Sequence, residues 1–243
     1  MRFFSIHSSG HVYADYFPFF KPSAFSCRGI KILFSLSILF FQACSTGSQK
    51  TESEATEAPK TIEETPKLDY TINPGKRVGL ITPQSTEGQL RIAYGPEQVE
   101  SKPITIGEGE ESLGALLFPG TRNELELIWT PTLYPPRPSF VRITRDSTDW
   151  VTTTGVSIGT TIEELEKING QPFYFYGFEW DYAGLVVSWD EGRLSEYLIV
   201  ALIPGNFDAL KPEFMGEVKF ASDDPKLKPL RLKVGSMVIG FEE

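Results

Sequence analysis

The chain has 243 residues, 23 basic and 32 acidic, for a net charge of −9. Residues 1–44 hold four basic residues (Arg2, Lys21, Arg28, Lys31) and one acidic residue (Asp15), so the remainder carries −12. That balance speaks against nucleic acid or anionic lipid headgroups as direct partners, because those need basic patches. No histidine or cysteine follows Cys44. Ser-His-Asp triads, Cys-His pairs and the usual zinc sites are therefore excluded beyond that point. A Ser-Lys enzyme lacks its S-x-x-K signature.

In chain order, Arg28 and Lys31 make a short positive region, and Ile32 to Phe41 is an apolar stretch of signal-core length. Phe41-Gln42-Ala43 then precedes Cys44. The run is too short for a membrane-spanning helix, which needs roughly 20 apolar residues. This layout resembles the lipobox of bacterial lipoproteins, although that family prefers Leu where Phe41 stands and Ala or Ser where Gln42 stands. The resemblance implies a signal peptide over 1–43 and a lipid-modified N-terminus at Cys44. With Ser45 matching the non-retention pattern, it also implies a lipid-anchored place in the cell envelope, at the outer membrane. Met1 to Ser26 is too long for an ordinary n-region. No methionine separates Met1 from Met215, so the expected start is a non-Met codon near Gly29 to Ile32, which would leave 1–27 as a misassigned beginning.

Residues 44–67 are almost entirely Ser, Thr, Glu, Ala, Pro, Lys and Gln, too polar to offset chain entropy by burial. They read as a disordered, lipid-anchored tether with a reach of roughly 25 Å as a flexible coil. Leu68 to Glu243 is rich in Phe, Tyr, Trp, Ile and Leu, enough for one sizeable core or two small modules sharing one.

Two segments share one helix grammar. Thr86-Glu87-Gly88-Gln89 precedes Leu90 and stops at Gly95-Pro96; Thr161-Ile162-Glu163-Glu164 precedes Leu165 and stops at Asn169-Gly170, with Pro172 beyond. Both openings fit the capping box, and both closings place Gly where a left-handed residue ends a helix. Thr86 and Thr161, Leu90 and Leu165, and Gly95 and Gly170 share the same sequence offset. Strands are expected at Ile104–Ile106, Leu113–Phe118, Leu125–Trp129 and Phe140–Thr144 after the first helix. After the second they are expected at Phe173–Tyr182, Leu185–Trp189, Tyr197–Ile203 and Leu232–Phe241. Asp190-Glu191-Gly192 reads as a turn.

Gly159-Thr160-Thr161, Glu164, Leu165, Gly170, Pro172, Trp180-Asp181-Tyr182 and Asp190-Glu191-Gly192-Arg193-Leu194 together resemble the β-lactamase-inhibitor-protein-like repeat. A weaker first copy runs through Ser85-Thr86, Leu90 and Gly95-Pro96. Small lipoproteins of outer-membrane assembly, and uncharacterised envelope lipoproteins, are similar. The resemblance covers roughly residues 77–205. It implies an α+β fold of two tandem modules, each a short helix packed on an antiparallel sheet, over 68–137 and 138–243, the second ending in a C-terminal strand.

The aromatic run Phe173 to Tyr182 has most functional potential. If the strand is unbroken, alternation puts Tyr174, Tyr176, Phe178, Trp180 and Tyr182 on one face and Phe173, Phe175, Glu179 and Asp181 on the other. That aromatic face either forms core or meets a partner, and a bulge at Gly177 would split the aromatics between faces. The functional reading assigns partner binding to Tyr174, Tyr176, Trp180 and Tyr182. Glu179, Asp181 and Asp190 are the candidates for a carboxylate-based glycosidase or sugar-binding alternative. Gly107 to Glu111 is a poor phosphate cradle and reads as a solvated hairpin tip; Pro135-Pro136-Arg137-Pro138 reads as a stiff linker between modules. The expected function is a non-enzymatic envelope binding module without metal or cofactor, anchored in the membrane through Cys44 and contacting a protein or glycan.

Overall fold

Thr86 and Thr161 each open a helix in the manner their sequences require. A computed structural model describes residues 68–107 and 109–242; Cys44, the expected signal peptide and the tether lie outside the described residues. The Thr86 hydroxyl accepts the Gln89 N–H while the Gln89 side chain accepts the Thr86 N–H, starting α1 (Glu87–Tyr94). Thr161 and Glu164 repeat the exchange at α2 (Ile162–Asn169). The two ends differ. Gly170 is left-handed (φ 89°, ψ −1°), whereas Gly95 combines φ 99° with ψ 139°. Pro96 causes the difference, since the residue before proline is pushed out of the helical region. Leu90 and Tyr94 of α1 and Ile162, Leu165 and Asn169 of α2 are buried.

The strands are β1 (Thr71–Asn73), β2 (Arg77–Val78), β3 (Val99–Gly107), β4 (Glu110–Leu117), β5 (Leu125–Thr130), β6 (Arg137–Ile143), β7 (Val151–Thr152), β8 (Tyr174–Tyr176), β9 (Val186–Ser188), β10 (Leu198–Ile203), β11 (Lys219–Ala221) and β12 (Lys233–Gly240). Six of them form a sheet in the order β10-β12-β6-β5-β4-β3, antiparallel at every step. Two three-stranded sheets accompany it, β2-β1-β7 and β11-β8-β9. The fold is thus mixed α and β with mostly antiparallel sheets. In the large sheet β12 lies between β10 and β6, so its strands come from both sides of the boundary expected at 137/138. A bridge from Leu185 to Ala201 links the segment before β9 to β10.

Alternation along the strands divides the large sheet into two faces. Leu125, Leu127, Val141, Ile143, Val200, Met237 and Ile239 enter one core together with Leu90, Tyr94 and Leu165 from both helices. Ile104, Ile128, Phe140 and Val238 form a smaller cluster on the other face. The segment entering α2 is tied to β12, because Gly159 N–H donates to Val234 O (2.8 Å) and Ile162 N–H to Leu232 O (3.0 Å).

One expectation fails in this region. Arg137 and Pro138 open β6 and pair with Thr130 and Trp129, so the Pro-rich run belongs to a β5–β6 hairpin instead of linking modules. The return strand lets Trp129, Val141 and Ile143 bury almost completely. Pro138, which has no N–H, sits where the register shifts between Ile128 and Trp129, and a bulge tolerates that loss. Gly107 and Glu110 pair at the β3–β4 hairpin, and Glu110 and Glu111 are exposed there, as read for that tip.

Candidate functional site

β8 sits between β11 and β9, with Tyr176 opposite Lys219 and Tyr174 opposite both Ala221 and Ser188. Phe173 and Phe175 point inward and are fully buried, so period two sends Tyr174 and Tyr176 to the outer face. Tyr174 is 41% exposed.

The expected strand over 173–182 stops after Tyr176, and Gly177 is the reason. A Cβ there would stand 2.7 Å from the carbonyl oxygens of both Phe214 and Gly216, so only glycine allows this approach of two backbones. Gly177 N–H donates to Val218 O (2.7 Å), Phe178 N–H to Phe214 O (2.8 Å) and Gly216 N–H to Phe178 O (2.8 Å). Phe178 is thereby drawn into the core at 4% exposure, away from the face of Tyr174 and Tyr176, so the aromatics are divided at Gly177. Glu179 follows with φ 61°, and a turn closes when Ala183 N–H meets Trp180 O (3.1 Å).

That turn returns Trp180 and Tyr182 to Tyr176. The ring centroids of Tyr176 and Trp180 are 5.1 Å apart at 86°, those of Trp180 and Tyr182 are 5.0 Å apart at 71°, and those of Tyr176 and Tyr182 are 6.4 Å apart. Edge-to-face contacts of this kind are a favoured arrangement for aromatic pairs. Trp180 Nε1 donates to Gly177 O at 3.1 Å. All three rings remain partly exposed. The face therefore brings together Tyr176, Trp180 and Tyr182, with Tyr174 two residues along the same strand face. Sequence reasoning missed Lys219, whose Nζ lies 5.5 Å above the Tyr176 ring. No local signal marks it, because a strand 43 residues downstream carries it there.

The candidate carboxylates occupy turns. Glu179, Asp181 and Asp190 are all exposed. Asp190 (φ 52°) and Glu191 (φ 62°) form the middle of a tight turn in which Gly192 N–H donates to Trp189 O (2.9 Å), matching the turn read from the sequence. Among the described residues, no group of three or more His, Cys, Asp or Glu side chains is placed to hold a metal. None of the helices described is long and apolar enough to cross a membrane.

No protein-family model matches this chain, and neither a curated protein nor a solved structure matches it.

Proposed function

We propose that this protein is a lipid-anchored binding module of the cell envelope that acts without catalysis. In this reading it is built from two tandem helix-on-sheet copies and recognises a protein partner through Tyr174, Tyr176, Trp180 and Tyr182. The observation that carries the proposal is the contact of three partly exposed rings on one outer face, next to an exposed tyrosine. Tyr and Trp supply much contact area at low entropic cost, and clusters of them dominate interface energetics. The turn that presents them is fixed by backbone hydrogen bonds, which lowers the cost of ordering on binding. The lipobox-like run ending at Cys44 and the polar stretch after it support attachment to the outer membrane at a tether's length. The paired capping boxes support the tandem reading.

The test is a pull-down from solubilised envelope membranes with the full-length chain and with Trp180→Ala and Tyr182→Ala. A specific protein retained by the parent and lost with either variant is the expected result. Equal recovery by parent and both variants would sink the proposal. Mass spectrometry of the N-terminal peptide tests the anchor, with diacylglyceryl or triacyl mass on Cys44 expected.

A second reading, a carboxylate-based glycoside hydrolase or a carbohydrate-binding lipoprotein, draws on one observation. Glu179 and Asp181 flank Trp180, and both are exposed. Glycan turnover that disappears in Asp181→Asn or Asp190→Asn would favour it over the protein-binding proposal.

A further inference from the structure

A cleft of about 760 Å³ runs along one side of α2. Its lining includes Glu164, Lys167 and Ile168, spaced as neighbours on one face of α2, and Thr160 just before the helix. Thr154, Gly155 and Gly159 also line it, and Arg193 lies at the C-terminal end of the helix, where its side chain reaches Lys167 O.

Most polar groups of this cleft are already engaged. Glu164 accepts the Thr161 N–H and hydroxyl (3.0 and 3.1 Å), Thr160 Oγ1 accepts the Ser157 N–H (2.9 Å), and the hydroxyls of Thr154 and Thr152 share a hydrogen bond (2.9 Å). The two cations are different. Lys167 lies near enough to Glu164 for its charge to help lower that carboxyl's pKa. Yet the ion pairs formed among the described residues use Arg77, Arg91, Arg122, Arg142 and Arg145, and neither Lys167 nor Arg193 belongs to one.

Arg193 is also held in advance. A Cβ on Gly170 would stand 2.8 Å from its Nε and 3.0 Å from its Nη2, so the guanidinium lies against the bare Cα of that glycine. Nη2 donates to Lys167 O at 3.0 Å, and the Arg193 N–H donates to Asn169 O at 2.8 Å. Gly155 and Gly159, with φ of 94° and 89°, have open space where a Cβ would stand, so a ligand can approach the main chain closely.

We propose that this cleft binds a carboxylate-bearing, peptide-like ligand, with its carboxylate between Lys167 and Arg193 and its body along α2. In an acidic protein, Lys167 and Arg193, neither of them in an ion pair, set two positive charges against the single carboxylate of Glu164 in one cleft, which leaves it complementary to an anion. The planar fork of Arg193, preset by Gly170, matches a carboxylate, and Lys167 adds a mobile point charge. Eight helical residues span about 12 Å, the length of roughly three extended residues. Ile168 supplies the apolar contact.

The probe is tri-glutamate, titrated by calorimetry and by amide NMR against the full-length chain. Saturable binding is expected, with shifts at Gly155, Gly159, Lys167 and Arg193 and a marked weakening as salt rises from about 0.05 M to about 0.5 M. Lys167→Gln and Arg193→Lys should each weaken it about tenfold, the range of a lost charge-assisted hydrogen bond. Lys167 is exposed and makes no side-chain bond that the fold needs, so an unchanged melting temperature will certify that variant as folded. Absence of saturable binding, parental affinity in Lys167→Gln, equal binding of tri-lysine, or equal competition by inorganic phosphate would each overturn the assignment.

Discussion

The indole N–H of Trp180 donates to the carbonyl of Gly177 at 3.1 Å, so the residue that ends β8 also holds the ring at the centre of the aromatic face. Gly177 meets the Phe214 and Gly216 carbonyls at distances that exclude a side chain. Gly177→Ala should therefore cost about 2 kcal/mol or more in urea unfolding, through forced backbone displacement. It should also shift tryptophan emission and reduce partner retention. Parental stability and emission would show that the backbones can separate without consequence for the turn.

Asn169 is fully buried and connects the end of α2 to the turn around Gly192. Its Nδ2 donates to Gln171 O (3.0 Å) and Trp189 O (2.9 Å), and its Oδ1 accepts the Leu194 N–H (3.3 Å). Asn169→Ala leaves three backbone groups without this partner, one buried and two partly buried, and the expected cost is about 2–4 kcal/mol by chemical denaturation. Because Arg193 is tied to the same helix end, tri-glutamate binding should weaken as well.

Burial pushes the Tyr94 hydroxyl up to about 12, against the opposing effect of the Leu80 N–H that it accepts at 2.7 Å. The folded value exceeds the unfolded one near 10, so the unfolded chain loses its proton first. Stability tied to this group is complete below about pH 10 and is lost as pH rises toward 12, by an amount on the order of 3 kcal/mol. Tyr94→Phe should remove that alkaline slope in a comparison of melting curves, while costing about 1 kcal/mol at neutral pH for the missing hydrogen bond.

At the acid end the signs reverse. The Thr71 N–H lowers the Asp69 carboxyl, the Asn123 amide followed by Arg122 lowers Asp149, and the Thr161 N–H lowers Glu164. Each folded value lies below the unfolded one. Their stabilisation is thus present above about pH 4 and disappears as pH falls through the lowered values. Asp149→Asn should flatten the acid limb of a stability profile below about pH 4, and an acid limb identical to the parent's would refute the role of this carboxylate.

The local grammar of the chain was legible where a few adjacent residues decide the backbone. Both capping boxes form as spelled, the β3–β4 tip closes around Gly107 and Glu110, and Asp190-Glu191 makes its tight turn. Tyr174, Tyr176, Trp180 and Tyr182 were recognisable as a group, yet the path that unites them was not. Gly177 was legible as the point where the alternation could break, but not that it does, because the decisive neighbours, Phe214 and Gly216, lie nearly 40 residues away. The Pro135–Pro138 run was misread for a similar reason, since proline signals a break and cannot reveal that the chain returns along β5.

By itself the sequence determined the helices, most strand positions, the acidic character and the lack of imidazole and thiol beyond Cys44, because composition and short-range sterics are written residue by residue. Only the tertiary structure decided that β12 lies between β10 and β6, that Lys219 lies over Tyr176, and that Gly170 positions Arg193 beside Lys167. Those relations depend on pairings between distant segments, where the gain from burying both faces of a sheet outweighs what any local pattern prefers.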